Sequence, residues 1–411
     1  MEKLAIDGGT PYRRTPFPAR TPFGDEEVDL VTRAIRSQNL FQWGGSMVAD
    51  FERAFAELYG SRHAVSSTSG TAAIHIGVGT IDPEPGDEII TAPISDLGSV
   101  SPILQQNAIP IFADIDPATF NMDPEDTERK ITRRTRAILV VHLFGNACDM
   151  DAFLGISRRH GIPLIEDCSQ AHATRYKDHW LGTLGDIGCY SLQQSKHMTT
   201  GDGGMTITGR EDYWDRMRFF MDKGFQRQGW GPRAYLFLAP NYRMTELQGA
   251  VGLAQVPKVR KVVERRMALG RLLTEMLAEV EGIAPAATTP GSEHSFWAYP
   301  LRTGTVDALE FGEALRAEGV GNMPGYIGKP IYMCAEALAA KKTYGSSHFP
   351  FGSPYTDRRI EYTEGMCPRT DQGLRHLCTL AFNEEYAEED IRDLAGAIAK
   401  VARGLARRAK G

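Results

Sequence analysis

The chain has 411 residues, of which 42% are hydrophobic and 24% are charged, a composition typical of a globular protein and not of a disordered one. Its net charge of −6 argues against a nucleic-acid partner, because surfaces that bind nucleic acid are usually basic. No apolar run approaches the roughly 20 residues that span a bilayer, and no secretory signal is visible, so we expect a cytoplasmic protein without membrane contact.

The N-terminal half predicts helices that alternate with short strands. The first 24 residues are rich in Pro, Arg and Thr and lack a periodic pattern, so we expect an extended arm. Helical patterns follow from Asp25 and over 48–59, where Gly60 ends the second helix. Strands are predicted at 63–66, 88–91, 110–113, 137–141 and 163–166, with helices between several of them, such as 150–160. The alternation predicts an α/β fold with a mostly parallel sheet that binds ligand at the carboxyl ends of its strands.

The C-terminal part has a different sequence pattern. It predicts one or two long helices over 247–281 with a break near Pro257, a strand at 296–301, an irregular segment at 321–354 and an amphipathic helix at 388–406. A chain of this length exceeds one simple core. We therefore predict an arm at 1–24, a large domain at 25–260 and a smaller C-terminal α/β domain at 261–411.

Polar residues follow several of the predicted strands. Residues 66–71 (Ser-Ser-Thr-Ser-Gly-Thr) precede a helix, where backbone N–H groups suit a phosphate, although such turns are usually simple caps. Asp167 ends an apolar strand and either faces a ligand or caps the next helix. Gln170 and His172 follow closely and are candidates for the same crevice. His142 ends another strand, where a lone histidine is more often structural.

A lysine in a polar loop provides the strongest chemical signal. Lys196 follows an apolar strand at 189–192, precedes His197 and lies shortly before Gly-Asp-Gly-Gly at 201–204, whose glycines permit close approach of a cofactor. Burial would lower the pKa of this lysine and leave a nucleophilic amine. With Asp167, it predicts pyridoxal phosphate (PLP) chemistry, which needs an amine for the aldehyde and a carboxylate for the ring nitrogen. Alone, Lys196 would be an ordinary surface lysine near a turn.

The six cysteines are scattered along the chain, without a Cys-x-x-Cys pair. Such spacing favours reduced, mostly buried thiols over disulfides. We therefore expect no metal site, and we expect Cys168 and Cys189 to be small apolar fillers near the predicted active site.

Several motifs, in order, resemble those of the sugar aminotransferases called the DegT family, which have the aspartate aminotransferase fold (fold type I of the PLP enzymes). The similarity runs from Gly8-Gly9 almost to the end of the chain. The motifs are Ser-Gly-Thr-Ala-Ala at 69–73, Val-His-Leu-Phe-Gly at 141–145 with Asp149-Met150, Glu-Asp-Cys-Ser-Gln-Ala at 166–171, Ser-Leu-Gln-Gln-Ser-Lys at 191–196 with the glycines after it, and Asn-Tyr-Arg-Met-Thr-Glu-Leu-Gln at 241–248.

The resemblance implies a role for each matching residue. Lys196 would hold PLP as a Schiff base and move protons, Asp167 would pair with the ring nitrogen, and Gln170 would hydrogen-bond near the ring 3-oxygen. The phosphate would be held by Gly70, Thr71 and Ser191. Asn241 would reach the cofactor of the neighbouring subunit, which implies a homodimer with shared active sites. We expect substrate contacts from Arg243, His172 and His197, and weaker candidates for the substrate entrance are Tyr242, Trp297, Tyr326 and Lys329.

Two departures from the family pattern concern the cofactor site. The family usually has an aromatic residue stacked on the cofactor ring where this chain has Asp96. Either another residue covers the ring, or Asp96 contacts a polar or cationic substrate group. The usual Gly-Glu-Gly-Gly reads Gly-Asp-Gly-Gly at 201–204, a conservative change.

Two further positions bear on the reaction. The dehydratase branch replaces the lysine with histidine, so Lys196 favours transamination. Gln193-Gln194 resembles the branch that acts on keto-cyclitols in aminoglycoside assembly. We therefore expect transfer of an amino group from glutamate or glutamine to a keto-sugar or keto-cyclitol, in aminosugar antibiotic biosynthesis. A PLP-dependent lyase, epimerase or oxidative enzyme, and a non-catalytic relative, remain alternatives.

Overall fold

The computed structural model describes residues 3–227 and 232–408. Its helices are α1 Asp25–Arg36, α2 Met47–Tyr59, α3 Gly70–Ile81, α4 Ser101–Gln105, α5 Pro124–Arg129, α6 Met150–His160, α7 Glu211–Met221, α8 Glu246–Gln255, α9 Val259–Leu277, α10 Ala308–Ala317, α11 Ile331–Cys334, α12 Glu336–Ala339, α13 Pro368–Arg375 and α14 Glu388–Arg408. Within the described part of the chain, every helix is too short or too polar to span a bilayer.

The strands form one large sheet and several smaller ones. They are β1 His63–Ser67, β2 Glu88–Thr91, β3 Ile109–Phe112, β4 Thr135–Val141, β5 Leu164–Asp167, β6 Arg175–Tyr176, β7 His179–Trp180, β8 Ile187–Ser191, β9 Gly204–Thr208, β10 Phe225–Gln226, β11 Ala234–Tyr235, β12 Ala284–Pro285, β13 Ala298–Arg302, β14 Asn322–Pro324 and β15 Leu377–Ala381.

The large sheet has seven strands in the order β1-β9-β8-β5-β4-β2-β3. Strand β9 is antiparallel to both of its neighbours, and the other neighbouring pairs are parallel. All residues of β2, β3, β5, β8 and β9 are buried, as expected for a sheet covered by helices on both faces. The predicted α/β fold with a mostly parallel sheet is confirmed.

A second apolar core surrounds the four-stranded antiparallel sheet β12-β13-β15-β14. Helix α9 contributes to both cores, because Val259 and Val263 pack in the first while Leu269, Leu273 and Leu277 pack in the second. This helix connects the two packing units. The domain boundary at 260 therefore remains a prediction.

The N-terminal arm packs against the second core. Leu4 is buried within that core. The Glu318 carboxylate accepts hydrogen bonds from the backbone N–H groups of Ala5 (2.8 Å) and Tyr12 (2.9 Å). Arg13 pairs with Asp390 of α14 at 2.7 Å. Residues far apart in sequence thus fix the path of a segment that has no periodic pattern of its own.

The structure also refines three predicted elements. The break predicted near Pro257 is a single turn of 3-10 helix, Val256–Lys258, between α8 and α9. The strand predicted at 296–301 begins at Ala298. The segment predicted to be irregular at 321–354 contains the short elements β14, α11 and α12.

Candidate active site

A cleft of about 400 Å³ opens at the carboxyl ends of β4, β5 and β8, beside the N-terminus of α3. Ligands of open α/β sheets bind at this edge of the strands. The cleft brings together seven residues predicted from the sequence, which are Gly70, Thr71, Asp96, Asp167, Gln170, Ser191 and Lys196.

Asp167 is the last residue of β5 and is 3% exposed. Its Oδ2 accepts a hydrogen bond from Ser99 Oγ at 2.7 Å, and its Oδ1 accepts one from the Ser169 backbone N–H at 3.0 Å. Ser99 Oγ lies 2.6 Å from Ser95 Oγ. The carboxylate is therefore held in one orientation at the cleft wall, as a partner for a cationic ring nitrogen must be.

The neighbouring Glu166 lies on the opposite face of β5, because successive side chains of a strand alternate. Its carboxylate accepts hydrogen bonds from His142 Nε2 (3.0 Å) and from the backbone N–H groups of Gly182 (2.8 Å), Leu184 (2.9 Å) and Gly185 (2.6 Å). His142, Glu166 and Cys168 are close enough to hold a metal ion. However, His142 Nδ1 also accepts from a backbone N–H, so neither of its nitrogens is left for an ion.

Lys196 lies in the loop after β8, with its Nζ 4.2 Å from the centroid of the Trp297 ring. Burial lowers the pKa of its amine to about 8, although the charges of Asp167 and Asp96 oppose this shift. The amine is therefore closer to neutral than an exposed lysine and lies near two carboxylates. These properties suit a nucleophile that forms a bond to an aldehyde.

The N-terminus of α3 lies at one end of the cleft. The first turn of this helix carries no charged side chain. Ser69 caps the helix by accepting a hydrogen bond from the Ala72 N–H at 3.0 Å. Gly70 packs so closely on the end of β8 that an added Cβ would lie 2.5 Å from Ser191 Cβ. The helix start, with Thr71 and Ser191 beside it, presents N–H groups and hydroxyls that suit a phosphate.

Gln170 and Asp96 contribute to other parts of the cleft. Gln170 Oε1 accepts from the Phe144 N–H at 2.7 Å, and its Nε2 donates to the Tyr326 hydroxyl at 3.0 Å. Burial raises the pKa of Tyr326 to about 12, so this hydroxyl keeps its proton. Asp96 is exposed and caps a 3-10 turn, where its Oδ1 accepts from the Gly98 N–H at 2.8 Å.

The sequence profile of the DegT/DnrJ/EryC1/StrS aminotransferase family matches residues 23–399. The chain belongs to this family. It is therefore an aminotransferase that depends on PLP.

Similar proteins come from several bacteria. A Micromonospora echinospora protein, provisionally named L-glutamine:3-amino-2,3-dideoxy-scyllo-inosose aminotransferase, is 36% identical over 97% of both chains. The L-glutamine:2-deoxy-scyllo-inosose aminotransferase of Streptomyces kanamyceticus is 31% identical over 97% of this chain and 96% of its own length. The X-ray structure of an aminotransferase from Psychrobacter cryohalolentis matches with a TM-score of 0.83, at 27% identity over 94% of this chain and 98% of that one.

The residues of the cleft fit the cofactor of the DegT/DnrJ/EryC1/StrS family. PLP offers an aldehyde, a ring nitrogen and a phosphate, and the cleft offers an amine, a carboxylate and a helix start for them. The close contact between Gly70 and Ser191 leaves no room for a larger side chain at the helix start. The assignment of each group to its residue remains a proposal.

His172 and His197 do not line the cleft, so our expectation that they contact substrate is corrected. Both rings are buried, with His172 Nε2 2.7 Å from the Ser191 carbonyl and His197 Nε2 3.0 Å from the Ser295 carbonyl. Burial lowers the pKa of His172 to about 4, so its ring is neutral. The expectation rested on the nearness of both histidines to Lys196 and Gln170 in sequence. It was wrong because the side chains of His172 and His197 point into the packed interior.

Asn241 and Arg243 also lie away from the cleft of their own chain. Asn241 is exposed. The Arg243 guanidinium pairs with the buried carboxylate of Asp222.

The cleft also contains residues that sequence reasoning ranked low or missed. Trp297 and Tyr326, weak candidates for the substrate entrance, both line it, whereas Tyr242 and Lys329 are not among its lining residues. Ser95 and Ser99 were missed, although the order Ser-Asp-Leu-Gly-Ser after a strand is a signal for a polar turn at the sheet edge.

Proposed function

We propose that this aminotransferase transfers an amino group from glutamine or glutamate to the ketone of a cyclitol, in the biosynthesis of an aminoglycoside-type natural product. The names of the relatives from Micromonospora echinospora and Streptomyces kanamyceticus support this choice of substrates. So does the Gln193-Gln194 pair, of which Gln193 lines the cleft.

The charge of the cleft is the observation that carries the proposal. Its described lining residues include three carboxylates, Asp96, Asp167 and Asp202, and one cation, Lys196. The diphosphate of a nucleotide-linked keto-sugar would meet an excess of negative charge here, whereas a neutral or cationic keto-cyclitol would not. A keto-cyclitol acceptor is therefore favoured over a nucleotide sugar.

PLP, when bound, supplies an aldehyde carbon and an electron-withdrawing ring, which together carry an amino group between two substrates. Asp167, oriented by Ser99 and Ser169, holds positive charge at the ring nitrogen. Lys196 Nζ would bind the aldehyde, and its free amine would take up and return a proton. Its lowered pKa leaves a substantial neutral fraction of the amine near neutral pH, which proton transfer requires.

We also propose a homodimer in which Asn241 reaches the cofactor of the partner subunit. A patch of exposed apolar residues supports this proposal. Each of them is 40% to 97% exposed, and they are Leu40, Phe41, Trp43, Tyr235, Leu236 and Leu238. Arg243 lies 5.4 Å from the centroid of the Phe41 ring, so the patch adjoins the Asn241 segment. Exposed apolar surface of this kind is typical of an interface, and a second copy would cover it.

A cytoplasmic location is likewise proposed. All six cysteines are unpaired, and five of them are buried. Free thiols in this number are typical of proteins from reducing compartments. The proposed substrates are small molecules, and their conversion does not require a secreted enzyme.

The proposed function is tested with purified protein and the visible absorbance of its bound cofactor. Glutamine or glutamate should bleach that absorbance, and a keto-cyclitol should restore it, while a nucleotide-linked keto-sugar should restore it far less. Lys196→Ala should show neither change. A coloured protein that no amino donor bleaches would favour a lyase, epimerase or oxidative reaction, and a protein that binds no PLP would favour a non-catalytic role.

A further inference from the structure

A chain of ion pairs joins the N-terminal arm to helix α9. Arg20 Nε donates to Glu384 Oε1 at 2.6 Å, and Arg266 Nε donates to Glu384 Oε2 at 2.8 Å. The side chain of Arg266 is 1% exposed, that of Glu384 11% and that of Arg20 13%. The three charged groups are thus built into the interior and are not a surface pair of the kind that contributes little.

At one end of this chain of ion pairs, Arg20 binds the loop that carries Lys196, here called the lysine loop (residues 194–197). Arg20 Nη1 donates to the backbone carbonyl of Lys196 at 2.6 Å and to that of Gln194 at 3.2 Å. Arg20 Nη2 donates to the carbonyl of His197 at 2.7 Å. A single guanidinium therefore binds three carbonyls of the lysine loop, which its planar fork of donors permits and a lysine could not reproduce.

The other end holds the segment that carries Trp297. Arg266 Nη1 donates to the Trp297 carbonyl at 3.3 Å. The indole in turn contacts the lysine loop, because Trp297 Nε1 donates to the Ser195 carbonyl at 3.0 Å and the ring covers Lys196 Nζ. The loop that carries Lys196 and the segment that carries Trp297 are therefore both connected to the Glu384 carboxylate, through Arg20 and Arg266.

The two guanidinium groups favour the charged form of Glu384. Burial by itself would raise the pKa of Glu384, but the charges of Arg266 and Arg20 outweigh it and lower the pKa of this carboxyl. Hydrogen bonds between ionised partners are short and stronger than neutral ones. The Glu384 carboxylate is therefore charged at neutral pH and binds both guanidinium groups.

We propose that Arg20, Glu384 and Arg266 form a brace that positions Lys196 for bond formation with the cofactor aldehyde. Arg20 is a positioning residue, because it acts through the backbone of the lysine loop. Active-site groups work when supporting residues hold them within about 0.5 Å of the productive geometry. The inference rests on the proposed role of Lys196, and it assigns the N-terminal arm a part in cofactor attachment.

Arg13 provides a matched control in the same arm. It too binds carboxylates of the C-terminal part, Asp390 at 2.7 Å and Asp393 at 2.9 Å, and its guanidinium lies over the Phe17 ring. None of its hydrogen bonds found among the described residues goes to the lysine loop. Arg13→Gln therefore loosens the arm and leaves the carbonyls of that loop bound to Arg20.

The experiment compares the wild type with Arg20→Gln, Arg20→Lys and Arg13→Gln. PLP is titrated into each protein after removal of the cofactor, its affinity is read from visible absorbance, and the adduct at residue 196 is quantified by borohydride reduction and peptide mass. Thermal melting shows whether each variant folds. Arg20→Gln should bind PLP at least about tenfold more weakly, the size expected for loss of a hydrogen bond to a charged group, with a lower yield of adduct.

Arg20→Lys should fall between Arg20→Gln and the wild type, because it keeps the charge next to Glu384 but not the fork, and it decides the matter if Arg20→Gln does not fold. Arg13→Gln should stay within about twofold of the wild type in PLP affinity, because its lost contacts are remote from the loop. Equal affinity and adduct yield in wild type and Arg20 variants, or an equal loss in Arg13→Gln, overturns the brace. Absence of an adduct at residue 196 in the wild type itself overturns instead the proposed role of Lys196.

Discussion

The indole ring of Trp297 covers Nζ of Lys196 at 4.2 Å, although the two residues lie about a hundred positions apart in the chain. Trp297 comes from the segment that enters the second core, whereas Lys196 follows a strand of the large sheet. The amine of Lys196 is thus covered on one side by the ring of a residue that directly precedes β13. This arrangement links the environment of the lysine to the contact between the two cores.

The lowered pKa of Lys196 makes the stability of the cofactor-free protein depend on pH. Its pKa is about 8 in the folded chain, against an ordinary value of 10.5, because of burial. Between these values the unfolded chain binds more protons, so the free energy of unfolding should rise with pH there, relative to Lys196→Met, which has no amine to titrate. Denaturant unfolding of both proteins over this range measures the difference, and a difference that does not change with pH contradicts the pKa.

Replacement of Asp167 by asparagine should strongly slow transamination. The isosteric amide keeps the packing but removes the negative charge, and loss of one preorganised electrostatic partner typically costs ~10²–10³ in kcat. Steady-state kinetics of Asp167→Asn, with Asp178→Asn in an exposed turn as control, measures the effect. A rate within a few-fold of the wild type would mean that Asp167 is not the partner of the ring nitrogen.

Gly70→Ala should weaken PLP binding by about tenfold or more, because the new Cβ would lie 2.5 Å from Ser191 Cβ and displace the helix start from the phosphate. Gly209→Ala is the matched control, since an added Cβ there meets no atom within 4 Å. PLP titrations followed by absorbance compare the two variants. Similar affinities in both would place the phosphate elsewhere.

Asp96→Asn should change the choice of acceptor. If the acceptor carries an ammonium group, as the name of the Micromonospora echinospora relative implies for that protein, the exposed Asp96 carboxylate is available to pair with it. Loss of such a charged hydrogen bond should lower kcat/KM about tenfold for an amino-substituted keto-cyclitol and leave a neutral keto-cyclitol nearly unaffected. Equal losses for both acceptors would show that Asp96 serves the cofactor or the turn that it caps.

Mixed dimers test whether the active sites are shared. An Asn241→Ala subunit and a Lys196→Ala subunit should each be poorly active alone, whereas mixing them should restore activity at the one site that has both intact residues. For random mixing of equal amounts, about half of the dimers would be heterodimers with one intact site. Activity after co-refolding is the measurement, and an absence of recovery in verified heterodimers argues against a role for Asn241 across the interface.

Local patterns predicted many of the residues that line the cleft. Asp167 was predicted from its place at the end of an apolar strand, and the start of α3 from Ser-Gly-Thr before a helix, because the carboxyl ends of parallel strands meet at one sheet edge. His172 and His197 failed by the same local reasoning. Nearness in sequence does not fix which way a side chain points, and both histidines turned toward backbone carbonyls in the interior.

The sequence by itself determined the α/β fold, the family and the cofactor chemistry, since these depend on strand and helix periodicity and on motifs of consecutive residues. Only the tertiary structure decided how the amine is covered, tuned and held. Trp297, Ser99 and Arg20 reach the site from segments far from Lys196 and Asp167 in the chain, and their effects on these two residues arise from burial and long-range hydrogen bonds. Such contacts depend on how the two cores pack together, and that packing is a property of the whole chain.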